Sequence, residues 1–243
     1  MAPKPPQLGK ILSEEGLAKD LQYVLHGIDV HHVLASICPP QYGIRMLEAG
    51  CGSGKLGVWF ALRGAAVFLL DIDPQAIEYA KNLWLLARAA TPVTGSYSDP
   101  HFQVGSVLAL PFPDASVDFC FNEGVPQHWG FNSHDTRRQR CLNEMVRVTK
   151  PGGHVCIIGT NGHCPAAVEM ANTTDHTYKG MPPRQKPWTR EELTQRLILA
   201  GLDRNTVKDW PVEITSNPFT GAPGYLESAW ERAHLLAGWG QKP

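Results

Sequence analysis

Apolar side chains recur along this chain with two different periods, and the switches between them lay out the elements. From residue 8 to 37 they stand at Leu8, Ile11, Leu12, Leu17, Leu21, Val24, Leu25, Ile28, Val33, Leu34 and Ile37. That spacing suits one or two amphipathic helices, which Pro39-Pro40 brings to an end. Segments of strand character follow at 44–49, 66–71, 101–104, 117–122 and 154–160. Helical patterns lie between them. One runs from Lys55 to about Arg63. A second runs from Pro74 to about Ala90, with Asp73 in the capping position. A third runs through Thr149, with Ser133 as its candidate cap, before the turn Lys150-Pro151-Gly152-Gly153. Thr189-x-x-Glu192 is a capping box for a helix that ends at Gly201. Further strands are expected at 204–210 and within 227–238. Residues 161–188 have no periodicity and carry Pro165, Pro182, Pro183 and Pro187, so they read as an insertion or lid. Alternating strands and helices predict an α/β fold, a doubly wound parallel sheet with helices on both faces. Such sheets bind ligands at the carboxyl ends of their strands, near the switch point.

The richest segment is Glu48-Ala49-Gly50-Cys51-Gly52-Ser53-Gly54, where the first strand turns into a helix. Alternate glycines let backbone N–H groups approach a ligand and adopt angles that other residues avoid. About twenty residues on, the second strand ends in Asp71, placed to accept hydrogen bonds from a ribose diol. The pair reads as a site for a nucleoside-containing cofactor. A P-loop is excluded, because Ala49 stands where a glycine is needed and Leu56 where a Ser or Thr is needed. A dinucleotide fingerprint fits Gly52-Ser53-Gly54-Lys55-Leu56-Gly57 and keeps an NAD-dependent oxidoreductase open.

The acid two positions before the first glycine, followed by G-x-G-x-G, resembles motif I of the class I S-adenosylmethionine-dependent methyltransferases. Leu70-Asp71-Ile72-Asp73-Pro74 resembles the family's second motif, and the run from Val104 to Asp118 resembles its third and fourth. Arg147-Val148-Thr149-Lys150-Pro151-Gly152-Gly153-His154-Val155 resembles the turn into its fifth strand, and Trp188 to Leu193 the opening of its last helix. The ordered set spans about residues 44–210 and points to the small-molecule type. It implies a seven-stranded, mostly parallel sheet ending in antiparallel strands. It also implies one domain over 1–243, with a helical cap at 1–40, a cofactor-binding core at 44–160, the insertion at 161–188 and a final helix and antiparallel strands at 189–243.

By the same resemblance the cofactor is S-adenosylmethionine and its product S-adenosylhomocysteine. Gly50, Cys51, Gly52 and Gly54 make room for the amino-acid part, and Glu48 orients its ammonium group. Asp71 takes the ribose hydroxyls and Ile72 flanks adenine. Ser106 and Val107 meet adenine from the other side, with Ser106 standing where the family usually has Asp. Asn122 and Glu123 face the methionine moiety or the acceptor. His128 is the candidate catalytic base for a hydroxyl acceptor, with a packing histidine as the alternative. Trp129 walls the acceptor pocket or belongs to the core. His163, Tyr178 and Arg184 are candidate substrate contacts. The four basic residues between Lys179 and Arg190 read either as a lid that recognises a carboxylate or phosphate or as an ordinary solvated turn. Asn122-Glu123-Gly124-Val125 lacks the Asn/Asp-Pro-Pro-Tyr/Phe run typical of adenine and glutamine amino-methyltransferases. The acceptor is therefore expected to be a small molecule, anionic if the lid reading holds. RNA or protein methylation, and a cofactor-binding scaffold without turnover, are the rivals.

At 243 residues and 43% hydrophobic content, the chain suffices for one good α/β core. A formal net charge of −1 argues against a general nucleic-acid or membrane-surface binder. No apolar run reaches transmembrane length, and no apolar signal core follows the N-terminus, so a cytoplasmic protein is expected. The six cysteines are scattered without a C-x-x-C and read as buried thiols. No histidine spacing suits a metal, and none is expected.

Overall fold

A computed structural model describes residues 14–91, 99–130, 134–173, 185–212, 233 and 235–243. Its centre is a seven-stranded sheet of β1 (Arg45–Ala49), β2 (Ala66–Asp71), β3 (His101–Val104), β4 (Val117–Glu123), β5 (Thr149–Thr160), β6 (Lys208–Val212) and β7 (Leu235–Gln241). The strand order is β3-β2-β1-β4-β5-β7-β6. The five strands from β3 to β5 run parallel, whereas β7 is antiparallel to both β5 and β6. The chain moves outward from β1 through β2 to β3, then returns to place β4 on the other side of β1. The switch point lies between the tips of β1 and β4.

The central strands β1, β2 and β4 and the second half of β5 are buried on both faces, which is why they read as near-continuous apolar runs. Met46, Leu69, Phe119 and Phe121 face one cluster with α1 (Glu14–His26), α2 (Asp29–Ile37), α3 (Lys55–Ala61) and α4 (Pro74–Ala90). Their neighbours Leu47, Leu70, Cys120 and Ile157 face the other, with α5 (Arg137–Val148) and α7 (Arg190–Leu199). The period of two along each strand thus divides one sheet between two cores. Two predicted caps are present. Asp73 accepts from the Gln75 N–H at 2.9 Å, and Thr189 from the Glu192 N–H at 3.1 Å.

Five boundaries depart from the sequence expectations. First, β5 opens at Thr149 and runs through the expected turn at 150–153. Second, α5 opens at Arg137, where the Asp135 carboxylate accepts the Arg137 N–H at 3.1 Å; Ser133 lies outside the described residues. Third, α6 (Pro165–Thr173) is a helix inside the region read as aperiodic, because its proline sits in the first turn, where no N–H is needed. Fourth, β6 begins only at Lys208, since Asp203 closes a turn by accepting the N–H groups of Asn205, Thr206 and Val207. Fifth, β7 lies at 235–241 rather than within 227–238. Its Gly238 resembles loop sequence, yet a Cβ there would stand 2.6 Å from Leu193 of α7, so only glycine lets helix and strand pack this closely.

Candidate functional site

The glycine loop after β1 is held from below and open above. Gly50, Gly52 and Gly54 have φ of 85°, 51° and 74°, a left-handed region that favours glycine. A Cβ on Gly50 would strike Val125, and one on Gly54 would lie 2.7 Å from Ala80, whereas one on Gly52 would meet nothing within 4 Å. The loop therefore packs on protein at its ends and opens onto free space at Gly52. Gly50 and Cys51 both donate to the Leu70 carbonyl, at 2.7 and 2.9 Å. Across the switch point, buried Asn122 donates to the Ala49 carbonyl and accepts the Val125 N–H at 3.1 Å. That one side chain ties the β4 tip to the β1 tip.

Asp71 ends β2 facing this loop. Its carboxylate accepts the Gly52 N–H at 2.8 Å and the Asp73 N–H at 2.9 Å. A carboxylate has about four acceptor positions, so main-chain anchoring and a ribose diol are compatible. Ile72, the next residue, is 50% exposed, an apolar face open beside the acid. Val107 is buried. Ser106 accepts the Leu108 N–H of its own turn at 3.2 Å. This loop is clasped from α5, in a way the sequence reading missed. Arg140 donates to the Leu108 carbonyl at 2.7 Å, Glu144 accepts the Leu110 N–H at 2.7 Å, and Arg147 donates to the Leu110 and Phe112 carbonyls at 2.9 and 2.8 Å. The i, i+4, i+7 spacing of the three was the available signal.

Charge gathers under α1. Glu48 is buried and accepts the Gly57 N–H at 2.8 Å; burial pushes its pKa up to about 8 despite that bond and nearby Lys55. Lys55 meets Glu123 at 3.0 Å. Burial alone would lower the Lys55 pKa, but Glu123 and Asp20 outweigh it and hold the ammonium above its ordinary range. Asp20, from α1, accepts the Tyr79 hydroxyl of α4 at 2.9 Å. Burial, then the charges of Glu48 and Asp71, push the Cys51 thiol well above its usual range, leaving it neutral and unreactive.

His128 closes a short 3-10 turn, Pro126–His128, just past β4 and is half-buried. Trp129 packs into the core against α5. The turn is fixed by Arg138, which is fully buried. It donates to the Pro126 and Lys186 carbonyls and to Glu192, and its guanidinium lies 3.8 Å from the centre of the Trp188 ring. Gln127 adds a second tie, accepting the N–H of Thr160 at 2.7 Å through its side chain and that of Lys186 at 2.7 Å through its carbonyl. His163 is engaged elsewhere: its Nε2 accepts the Arg190 N–H at 3.2 Å at the start of α7. Tyr178 and Arg184 lie outside the described residues. Of the basic run between Lys179 and Arg190, Lys186 is paired with Glu192 and Arg190 with Asp209. All six cysteines are unbridged and buried. Among the described residues no group of three His, Cys, Asp or Glu could hold a metal, and no helix is long and apolar enough to cross a membrane.

Residues 47–157 match the family model described as a methyltransferase domain. Among curated proteins, a malonyl-[acyl-carrier protein] O-methyltransferase of Serratia marcescens is 31% identical over 125 residues, 51% of this chain and 42% of the relative. Its counterpart in Pectobacterium atrosepticum is 24% identical over 153 residues, 61% of this chain and 53% of the relative. The chain thus spans about half the length of these relatives. Among solved structures, a methyltransferase of Haloferax volcanii, described as putative and seen in complex with the Trm112 methyltransferase activator, covers 99% of this chain and 100% of its own, with TM-score 0.68 and 19% identity. The magnesium protoporphyrin IX methyltransferase of Synechocystis PCC 6803, solved with bound S-adenosylhomocysteine, has TM-score 0.60 and 14% identity, covering 92% of this chain and 83% of its own.

Proposed function

We propose that this chain, whose residues 47–157 match a methyltransferase-domain family, is a class I S-adenosylmethionine-dependent methyltransferase that transfers the cofactor's methyl group to a small-molecule acceptor. The observation that carries this reading is the cradle at Asp71. An acid anchored on the Gly52 N–H stands beside open space over the same glycine and a half-exposed Ile72. The side chains suit the cofactor: Asp71 for the ribose diol, Ile72 for one adenine face, Ser106 and Val107 for the other, and the opening at Gly52 for the amino-acid tail. When bound, the cofactor supplies a methyl group activated on a sulfonium. Its transfer is an in-line displacement that needs mainly alignment and exclusion of water.

The protein's own contribution on the acceptor side is His128, held by the Arg138 clamp at the mouth of the crevice. For a hydroxyl acceptor its imidazole removes the proton; for a carboxylate it orients the oxygen. The relatives that methylate a malonyl group on a carrier protein make a carboxyl oxygen the first acceptor to test. The return segment at 185–188 is tied to the His128 turn through Gln127 and to α6 through Ala171, and in this reading it favours small substrates over polymers.

The test is formation of S-adenosylhomocysteine, followed by mass spectrometry, with four acceptor pools: small carboxylic acids, a small-molecule cell extract, total RNA and folded protein. The expected result is turnover in a small-molecule pool that Asp71→Ala lowers when the cofactor is below saturation. Turnover confined to RNA or protein would assign the macromolecular alternative. Binding of the cofactor without turnover in any pool would assign a scaffold.

A further inference from the structure

We propose that Gln127 determines acceptor specificity: its side-chain amide donates to a carboxylate of the acceptor, holding one oxygen while the other takes the methyl group. The inference rests on the methyltransferase reading above and goes beyond it in naming the reacting group and the residue that reads it. The free oxygen's lone pair forms the new C–O bond as the C–S bond breaks, whose electrons stay on sulfur. No proton moves, because a carboxylate carries none.

The orientation of the amide is the first argument. Gln127 lies in the turn after β4 and is 4% exposed. Its Oε1 accepts the Thr160 N–H at 2.7 Å. A main-chain N–H can only donate, so this bond fixes which end of the amide is oxygen and leaves two donors on Nε2. The second argument is where those donors stand. A Cβ on Gly124 would lie 3.6 Å from Nε2, so the amide sits over bare main chain one residue past the tip of β4. The same turn reaches the glycine loop, since a Cβ on Gly50 would strike Val125. The third is that the donors are unspent. Among the described residues no group accepts from Nε2, and it is not one of the partnerless side-chain atoms sealed from solvent, as Trp188 Nε1 is. An open donor on an otherwise buried residue is one that a ligand can satisfy. The fourth is the chemistry left on this wall. Among the described residues its cations are engaged: Arg138 with two carbonyls and Glu192, Lys186 with Glu192, and Arg190 with Asp209. A guanidinium would take both oxygens of a carboxylate, whereas an amide holds one and leaves the other to react. An amine would set donor against donor, and an alcohol has no second oxygen to be held. The plain alternative is that Gln127 only braces the turn against β5.

Methyl-labelled S-adenosylmethionine and a small-molecule cell extract separate these. Carboxyl methyl esters release labelled methanol in mild base; methylated amines, ethers and carbons do not. The wild type should give base-labile label. Gln127→Glu keeps an oxygen for the Thr160 N–H but puts a second oxygen where the donors were. Base-labile product should fall at least about tenfold, with S-adenosylhomocysteine affinity in calorimetry within about twofold of wild type. The yield relative to wild type should recover as pH falls from about 8 to about 6, because burial raises the pKa of the new carboxyl and its protonated form donates again. Gln127→Met, which has no donor in either form, should show the loss without the recovery. Base-stable label from the wild type overturns this inference alone and leaves a methyltransferase of another acceptor. An undiminished ester yield in the variants, or a Gln127→Glu loss that persists at low pH, would establish the brace and overturn the proposal. Wild-type protein that transfers no label, or does not bind S-adenosylhomocysteine, overturns the functional reading and this inference with it. Should Gln127→Glu fail to fold, the ester yield and cofactor affinity of Gln127→Met decide the matter: a loss of yield at unchanged affinity supports the proposal, and an equal loss of both overturns it.

Discussion

Replacing Arg138 with methionine should cost about 3 kcal/mol of folding stability, because the guanidinium closes a buried junction between the turn after β4, the segment before α7 and α7 itself. Methionine fills much of the arginine volume but donates nothing. The Pro126 and Lys186 carbonyls then lose their guanidinium donor, and buried unsatisfied groups cost about 1–3 kcal/mol each. Stacking on Trp188, now at 3.8 Å, is lost as well. Two effects limit the damage. Glu192 is not stranded, since Arg196 at 3.0 Å and Lys186 at 3.5 Å still reach it and it is 22% exposed. The loss should therefore sit at the low end of the roughly 3–5 kcal/mol seen when a buried ion pair is broken. Removing the arginine also relieves its desolvation, the burial that lowers its pKa to about 10. Urea unfolding followed by circular dichroism, with an unchanged m-value, measures the difference. At about 2–4 °C per kcal/mol, Tm should fall by roughly 6–12 °C. A loss under about 1 kcal/mol would refute the reasoning, since desolvation relief would then equal everything the clamp contributes.

Three further outcomes are expected. Asp71→Ala should weaken S-adenosylhomocysteine binding by about 1–3 kcal/mol in calorimetry, the range for hydrogen bonds to a charged group; an unchanged affinity would remove its ribose role. His31 is stacked on Trp59 at 4.9 Å, and burial lowers its pKa to about 3. The unfolded chain protonates near the ordinary value of about 6.5, so the unfolded state gains a proton that the folded state refuses, and stability falls as pH drops from about 6.5 toward 3. The slope is about 1.4 kcal/mol per pH unit, and His31→Gln should flatten the stability curve between about pH 6 and 4 by that amount; parallel curves would contradict the assignment. His128→Ala should lower turnover more than cofactor affinity once an acceptor is in hand, and the reverse pattern would end its role as base.

Much of the architecture could be read from the chain because its signals are local. The strands β1, β2 and β4 are short runs buried on both sides, the glycine loop needs its positive φ angles wherever it sits, and Asp73 and Thr189 cap helices only two and three residues away. What the sequence hid depends on partners brought together by the fold. Arg138 belongs to Arg137-Arg138-Gln139-Arg140, which resembles a solvated helix face. Its burial is set by residues 12, 48 and 54 positions away. The Lys55–Glu123 bridge is equally non-local. The glycines of β7 suggest a loop until α7 packs against them, and Pro165 suggests irregular chain until it is seen to begin a helix. The glycine loop and the acid at the end of β2 were thus legible, while the clamp that fixes the turn after β4 was not.

The most direct test of the account is a crystal structure of the protein with S-adenosylhomocysteine. It should place the ribose hydroxyls on Asp71, adenine against Ile72 and the homocysteine tail over Gly52. A ribose bound away from Asp71, or a crevice between β1 and β4 that excludes the adenosyl group and accepts a nicotinamide dinucleotide instead, would contradict it.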